Sequence, residues 1–274
     1  MSAALSRIGP VMLVGAGKMG LALAQGWLEA GLASSNLVLV DPAPGDAAKA
    51  LADDFELQIY PEAAGLLPNI LVLAVKPQII DAVMGSLRPV VGPQTLVVSI
   101  AAGIDIARLM RGLDTDRVVR TMPNTPAQIG KGITGAVAGP GVAGEQRAAV
   151  DALLAAAGPV IWLEVESDLD AVTAVSGSGP AYVFYLVEAL TAAAIEQGLP
   201  AAIAVQLARQ TVIGSAALME ADPAPAATLR QNVTSPNGTT AAGLAVLMGP
   251  AGLTALIGDT VAAARRRSEE LGRG

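Results

Sequence analysis

Short, unbroken apolar runs recur through the first half of the chain and alternate with segments of helical periodicity. The runs occupy residues 10–14, 36–41, 70–77, 95–103 and 117–124. The helical segments between them occupy residues 21–31, 45–55, 78–86 and 105–112. Strands that are apolar on both faces are typical of a parallel sheet covered by helices on both sides. The first half therefore predicts an α/β domain.

The pattern of the chain changes after Asn124. Residues 133–139 and 158–164 predict two more strands. Beyond them only helical periodicity remains, over residues 168–197, 200–221, 226–233, 239–248 and 250–272. We therefore expect two domains, an α/β domain over residues 1–164 and an all-α domain over residues 165–274.

A glycine-rich turn, GAGKMG at residues 15–20, joins the first predicted strand to the first helix. In this motif Gly15 permits a sharp turn, Gly17 lets a pyrophosphate approach the backbone, and Gly20 lets the helix pack on the sheet. The N-terminus of the helix then faces the phosphate charge. Such turns also occur without a ligand, but the strand before it and the helix after it favour dinucleotide binding. We therefore predict a Rossmann-type N-terminal domain that binds NADH or NADPH.

The predicted cofactor contacts lie in this turn and at the carboxyl ends of the later strands, where dinucleotides bind in open α/β sheets. They are Gly15, Ala16, Gly17, Lys18, Met19, Asp41, Ala74, Val75, Lys76, Pro77, Ala101, Ala102 and Asn124. Ala101 and Ala102 are small enough for a cofactor to pass beside the backbone. Lys76 either contacts phosphate or faces solvent, and Asn124 either binds the nicotinamide amide or caps the turn.

Asp41 ends the second predicted strand and has two interpretations. In this fold an acid at that position bonds the ribose 2′-hydroxyl and repels a 2′-phosphate, which favours NADH. Alternatively, Asp41 only caps the turn that begins at Pro42. The two interpretations have equal weight, so the choice between NADH and NADPH stays open.

Two amino-acid types are missing from the chain, and their absence narrows the chemistry. There is no Cys, which excludes disulfides, thiolate nucleophiles and Cys-ligated metals. There is no His, which removes the commonest general acid and the commonest metal ligand. We therefore expect no metal site and a reaction that proceeds without imidazole or thiol.

Charge and hydropathy exclude some partners. The formal net charge is −7, and aromatic residues make up 3% of the chain. A polyanion needs a basic face and nucleic-acid bases need stacking platforms, so we expect no nucleic-acid partner. We expect no stretch long and apolar enough to span a bilayer, and the apolar start leads straight into the glycine-rich turn, unlike a signal peptide. These features predict a cytoplasmic protein without a membrane partner.

The positions of lysine and tyrosine narrow the substrate. The lysines are Lys18, Lys49, Lys76 and Lys131, all of which precede the helical domain, and no Tyr has a Lys four positions later. Reductases that polarise a ketone with His, with a Tyr–Lys pair or with a Lys of the helical domain are therefore excluded. A cyclic imine that enters already protonated accepts hydride at carbon without a strong acid nearby, and this class of substrate suits the chain.

Several stretches are similar to the signatures of one enzyme family. VSGSGPAYVFYLVEAL at residues 175–190 and VTSPNGTTAAGLAVL at residues 233–247 resemble those of pyrroline-5-carboxylate reductase. LAVKPQ, VVSIAAG and RTMPNTPAQIGKG, which begin at residues 73, 97 and 120, resemble its other hallmarks. These stretches occur in order over nearly the whole chain. The resemblance implies an enzyme that uses NADH or NADPH to reduce 1-pyrroline-5-carboxylate to L-proline, the last step of proline biosynthesis.

The TSPNGTT loop is a candidate substrate site. Its hydroxyls and the bare backbone of Gly238 can hold a carboxylate at a helix N-terminus, or they can simply cap that helix. By resemblance, Ser235 and Thr240 contact the substrate carboxylate and ring and are the candidate catalytic residues, while Gly238 and Thr239 are backbone donors. The family often has a second glycine where this chain has Asn237. Because Asn tolerates left-handed backbone angles, we expect the loop shape to survive.

Two further assignments depend on the same resemblance. An acid before the loop, best matched by Asp222 or Glu220, either contacts the ring nitrogen of the substrate or is an ordinary surface carboxylate. The SGSGPAY stretch, which begins at Ser176, lies near the nicotinamide and the subunit interface. Alternatively, it only starts a helix at a crowded crossing, where glycine permits close packing.

The Ala-rich helices of the second half are too apolar for a small isolated domain. We therefore expect them to form a dimerisation domain, in a homodimer or a larger homo-oligomer. Two rival functions are another reductase of similar layout, such as an imine reductase or a hydroxyacid dehydrogenase, and a nucleotide sensor without catalysis. The TSPNGTT loop disfavours the first rival, and turnover of the cofactor distinguishes the second.

Overall fold

The computed structural model describes Leu5 and residues 8–272, and one sheet forms the framework of its first part. Within those residues the strands are β1 (Val11–Val14), β2 (Leu37–Val40), β3 (Gln58–Tyr60), β4 (Ile70–Leu73), β5 (Leu96–Ser99), β6 (Val118–Pro123), β7 (Thr134–Ala138) and β8 (Val160–Trp162). Their order is β3-β2-β1-β4-β5-β6-β7-β8. From β1 the strands are added first on one side, as β2 and β3, and then on the other side, as β4, β5 and β6. Dinucleotides bind at the switch point between β1 and β4, where the strand order reverses.

The strands predicted from the apolar runs are confirmed, mostly as shorter elements. The short edge strand β3 was missed, because its exposed Gln58 and Tyr60 leave no apolar run. The predicted parallel pairing is confirmed as far as β6. The strand β7, for which the sequence predicted no direction, pairs with β6 in antiparallel fashion. A parallel return needs a crossover of about a dozen residues or more. The connection from β6 to β7 contains only the short 3-10 helix Thr125–Ile129.

Helices cover both faces of the sheet. They are α1 (Lys18–Glu29), α2 (Asp46–Phe55), α3 (Ile80–Leu87), α4 (Ile106–Leu113), α5 (Gly144–Ala155) and α6 (Asp168–Val172). Alternate residues of β1 enter different cores. Val11 and Leu13 pack in the core that contains side chains of α1 and α5, whereas Met12 and Val14 pack in the core that contains side chains of α3 and α4. This burial on two faces is the reason for the unbroken apolar strands.

The chain divides into two compact units. The first runs to Ser178, and the residues from Ala264 onward also belong to it. The second, Gly179–Ala263, contains helices α7 (Gly179–Glu196), α8 (Ala201–Ala221), α9 (Ala226–Asn232), α10 (Thr239–Leu247) and the first part of α11 (Leu253–Gly272). The helical character of the second half is confirmed, and the domain boundary after residue 164 stays a prediction.

Large apolar side chains are exposed on α7 and α8. Among them are Val183, Phe184, Tyr185, Leu186, Leu190, Ile195, Ile203, Val205, Leu207, Ile213, Leu218 and Met219. By length and composition, Asp168–Glu196 and Ala201–Ala221 could each cross a membrane, with mean hydropathies of 1.3 and 1.2. The expectation that no segment has this character is wrong, because abundant Ala, Leu and Val outweigh the few charges. An apolar helix inside a soluble protein meets the same criteria.

Candidate active site

The glycine-rich turn between β1 and α1 is tightly packed at Gly15 and Gly20, and its backbone is open at Gly17. Gly15 has a φ of 97°, and a Cβ there would lie 2.7 Å from the Ala74 carbonyl oxygen and 2.9 Å from Val75 Cγ1. A Cβ on Gly20 would collide with the Gly15 carbonyl oxygen, so α1 packs directly against the turn. A Cβ on Gly17, by contrast, would meet no described atom within 4 Å. The turn therefore leaves open space in front of its backbone.

The N-terminus of α1 has free hydrogen-bonding capacity. Gly17 is its N-cap, no side chain caps the helix, and the first turn contains no acidic residue. Lys18 is exposed and Met19 is half-buried in this turn. N–H groups in the first turn of a helix have no intrahelical partner and carry a partial positive charge. These properties allow the turn to bind a pyrophosphate.

The carboxylate of Asp41, at the end of β2, is held by two backbone groups. Its Oδ2 accepts the Ala16 N–H (2.8 Å), and its Oδ1 accepts the Ala43 N–H (2.9 Å). The second bond confirms the turn-capping role. The first bond fixes a negative charge beside the glycine-rich turn. Each carboxylate oxygen has a second lone pair, which can accept a ribose hydroxyl.

The residues after β4 and β5 lie at the same edge of the sheet as the glycine-rich turn. The Ala74 N–H donates to the last carbonyl of β1 (2.8 Å). Lys76 is exposed, and Pro77 begins a 3-10 helix. Ala101 is buried and its N–H donates to a serine hydroxyl of β5 (3.3 Å), whereas Ala102 is exposed. Ala102 is therefore accessible to a ligand, whereas Ala101 packs beneath the surface.

Asn124 follows β6, and its side-chain amide is paired within the protein. The Ile133 N–H donates to Oδ1 (3.0 Å), and Nδ2 donates to the Ser176 hydroxyl (3.1 Å). The amide thus links the loop after β6 to a π-helical segment, Thr173–Gly177. This pairing is not predictable from the local sequence, in which the SGSGPAY stretch that contains Ser176 is the one signal of it.

The TSPNGTT loop forms a turn in front of α10. The Gly238 N–H donates to the Ser235 carbonyl (3.1 Å), and Asn237 has a φ of 57°, the left-handed conformation that Asn tolerates. Gly238 is the N-cap of α10, and no side chain caps the helix. The alternative of an ordinary Ser or Thr cap is therefore wrong. Ser235 is exposed, as are Thr239 and Thr240 in the first turn of α10.

Asp222 lies at the C-terminus of α8, in the same unit as the TSPNGTT loop. Its Oδ1 accepts the Ala224 N–H (2.9 Å), and the residue is half-buried. Asp222 therefore stabilises a local turn. The remaining lone pairs of the carboxylate oxygens can accept further hydrogen bonds.

Two protein families match the chain. A model described as pyrroline-5-carboxylate reductase dimerisation matches residues 166–271, and one described as NADP oxidoreductase, coenzyme F420-dependent, matches residues 10–103. The pyrroline-5-carboxylate reductase of Pseudomonas aeruginosa is 40% identical over 264 residues, which cover 95% of this chain and 96% of that protein. The enzyme of the same name from Mycobacterium leprae is 39% identical and covers 97% and 98% of the two chains.

Solved structures agree with the sequence relatives. A pyrroline-5-carboxylate reductase from Coxiella burnetii superposes with a TM-score of 0.90 at 31% identity, covering 97% of this chain and 99% of that one. The Plasmodium falciparum pyrroline carboxylate reductase, solved with NADP bound, has a TM-score of 0.82 at 29% identity and covers 98% and 99% of the two chains.

Proposed function

The chain belongs to the pyrroline-5-carboxylate reductase family, and we propose how its residues divide the work of the reaction. The enzyme reduces 1-pyrroline-5-carboxylate to L-proline with NADH or NADPH. The hydride of the nicotinamide forms a new C–H bond at the imine carbon, the π electrons of the C=N bond move to nitrogen, and the nicotinamide is oxidised. Because the substrate nitrogen enters protonated, no His or Cys is needed as an acid.

The first unit holds the cofactor at the carboxyl edge of its sheet. The open backbone at Gly17 and the uncapped start of α1 carry this assignment, since both suit a pyrophosphate. Residues 15–19 would bind the pyrophosphate. Ala74–Pro77 and Ala102 would line the path of the dinucleotide toward β6, with Ala101 behind them.

Asp41 biases the enzyme toward NADH. Its carboxylate is held at the end of β2 by the N–H groups of Ala16 and Ala43. An acid at this position accepts a bond from the ribose 2′-hydroxyl and repels a 2′-phosphate. The bond to Ala16 supports this role, because it keeps the charge next to the glycine-rich turn.

The TSPNGTT loop binds the carboxylate of the substrate. The uncapped N-terminus of α10, the exposed hydroxyls of Ser235 and Thr240, and the backbone N–H groups of Gly238 and Thr239 are the donors that such an anion requires. Asp222 is the acid that we assign to the ring nitrogen. Positioning of the two reactants, without acid catalysis by a side chain, then supplies most of the rate enhancement.

A second copy of the chain covers the exposed apolar faces of α7 and α8. Contiguous exposure of large apolar side chains marks an interaction surface in soluble proteins. The matched dimerisation family spans both helices. We therefore propose a homodimer or larger homo-oligomer located in the cytoplasm.

The loss of absorbance at 340 nm, with 1-pyrroline-5-carboxylate and each cofactor, tests these assignments. Ser235→Ala and Thr240→Ala should each lower kcat/KM for the imine by roughly 10- to 100-fold, the range of one hydrogen bond to a charged group. The Kd of the cofactor should stay unchanged. Ser86→Ala, on the exposed surface of α3, is the matched control. Variants of both loop residues that keep wild-type kcat/KM would contradict the assignment of the substrate site.

A further inference from the structure

We infer that Ser176 binds the carboxamide of the nicotinamide through its hydroxyl hydrogen, and that Asn124 sets the direction of this bond without contacting the cofactor. The inference rests on the proposed placement of the dinucleotide along the carboxyl edge of the sheet. Both residues lie in the first unit.

The backbone determines which way the Asn124 amide faces. The Ile133 N–H can only donate, so the amide atom 3.0 Å from it must be Oδ1. Nδ2, which also can only donate, then faces Ser176 Oγ at 3.1 Å. The Ser176 oxygen is therefore the acceptor in this pair. Its own hydrogen must point away from Asn124, and within the described residues it has no recorded acceptor.

A π-helical segment, Thr173–Gly177, holds Ser176 in place. Its characteristic bond spans five residues, from the Ser178 N–H to the Thr173 carbonyl (2.8 Å). A Cβ on Gly177 would lie 2.6 Å from a methionine methyl group of β6, so the segment approaches the strand closely. π-helical turns are rare and occur frequently at functional sites. Ser176 is half-buried, so a ligand can reach its hydroxyl while part of its surface is shielded from water.

The strand order indicates which part of the cofactor reaches Ser176. The pyrophosphate belongs at the turn after β1, and Asp41 at the end of β2 marks the side of the adenosine ribose. On the other side of β1 follow β4, β5 and β6. The end of β6 therefore lies about 14 Å from β1, at about 4.8 Å per strand, in the direction of the nicotinamide half.

The carboxamide is the group on the nicotinamide ring that can accept the Ser176 hydrogen. Its carbonyl oxygen is an acceptor, whereas its NH₂ group is a donor. Because the Nδ2 group of Asn124 already donates to Ser176, the bond to the cofactor runs from the Ser176 hydroxyl to the carboxamide oxygen. This polarity makes a test on a single cofactor atom possible.

Two reduced cofactor analogues isolate that atom. The 3-acetylpyridine analogue of NADH keeps the carbonyl oxygen but lacks the NH₂ group, and the thionicotinamide analogue replaces the oxygen with sulfur, a weaker acceptor. Ser176→Ala should raise Kd roughly three- to tenfold for NADH and for the acetylpyridine analogue, as expected for one neutral hydrogen bond. For the thionicotinamide analogue the change should be less than about twofold.

Asn124→Asp tests the role of the amide as a positioning group. The carboxylate still accepts the Ile133 N–H, but it cannot donate to Ser176, so the Ser176 hydrogen turns toward it. Like Ser176→Ala, Asn124→Asp should therefore raise Kd for NADH and for the acetylpyridine analogue, and change Kd little for the thionicotinamide analogue. The double variant Asn124→Asp/Ser176→Ala should lose no more affinity for NADH than the weaker-binding single variant does, because both changes break the same hydrogen-bond network.

Two further variants keep the result interpretable. Ser176→Thr retains the hydroxyl and should retain the preference for carbonyl-bearing cofactors, and Ser86→Ala should bind all three cofactors as the wild type does. An equal loss of affinity for all three cofactors in Ser176→Ala would mean a structural role and would overturn the inference. Failure of the unmodified chain to oxidise NADH with the imine would instead overturn the proposed function, together with everything that depends on it.

Discussion

Replacement of Asp41 by Asn should shift the enzyme from NADH toward NADPH. The change removes one negative charge and keeps the size of the side chain. One amide oxygen remains to accept either the Ala16 N–H or the Ala43 N–H, but not both. Affinity for both cofactors should therefore fall somewhat, and the ratio of the two kcat/KM values reports the charge alone.

The expected size of the shift follows from Coulomb repulsion. A 2′-phosphate of charge about −1.5 placed about 5 Å from the carboxylate is repelled by about 1 kcal/mol in bulk water and by about 5 kcal/mol at an effective dielectric constant near 20. Asp41 is half-buried, so the value lies between these limits. If this repulsion is about 1.5–3 kcal/mol, its removal should raise the ratio of kcat/KM for NADPH to kcat/KM for NADH by roughly 10- to 150-fold.

Initial rates at 340 nm with each cofactor measure this ratio directly. Asp53→Asn is the matched control, because it removes the same charge from the exposed surface of α2. A shift in Asp41→Asn no larger than in Asp53→Asn would refute the proposed role of the carboxylate. An equal loss for both cofactors would leave Asp41 as a support of the turn and nothing more.

Three further predictions concern the first unit. Gly15→Ala should weaken NADH binding roughly 5- to 150-fold in a fluorescence titration, because strain at a φ of 97° costs about 1–3 kcal/mol, whereas Gly85→Ala on open helix surface should bind NADH normally. Trp27→Phe should lower the free energy of urea unfolding by about 1–3 kcal/mol, because Trp27 Nε1 donates to a carbonyl of α5 (2.7 Å) that would be left buried and unpaired; a loss below about 0.5 kcal/mol would contradict this. The Arg108 hydrogen bonds lower the pKa of Asp81 below its ordinary value of 3.8, so the pair stabilises the fold above that pH and the contribution disappears as pH falls through the lowered pKa. The Tm difference between the wild type and Asp81→Asn should therefore be small at pH 7 and shrink below pH 4, and a difference that grows in acid would count against the pairing.

The framework of the first unit was predictable because local signals coincide there. The apolar run of β1 predicts burial on both faces, and the glycines of the following turn mark the end of the strand and the start of α1. The direction of β7 had no such signal. It depends on the length and conformation of the connection after β6, and these follow from packing, which periodicity does not report.

The TSPNGTT loop shows what a motif predicts and what it leaves open. The left-handed position at Asn237 followed from the resemblance, which often places a glycine there, together with the tolerance of Asn for this conformation. Residue types alone did not distinguish a carboxylate site from a helix cap, since both use hydroxyls beside a helix N-terminus. The three-dimensional arrangement excludes the Ser or Thr cap, because Gly238 occupies the N-cap and the hydroxyls are left exposed. The carboxylate site stays a prediction.

Asn124 illustrates the kind of information that a single sequence lacks. Its amide has both a donor and an acceptor, so its position after β6 is compatible with a cofactor contact and with a cap. The structure settles its orientation through Ile133, and it reveals a partner, Ser176, that is 52 residues away in the chain. A pair at such a separation leaves no periodic trace in the sequence. Both ends of the Asn124 amide are paired within the protein, and this pairing is the observation from which we propose a cofactor contact at the Ser176 hydroxyl.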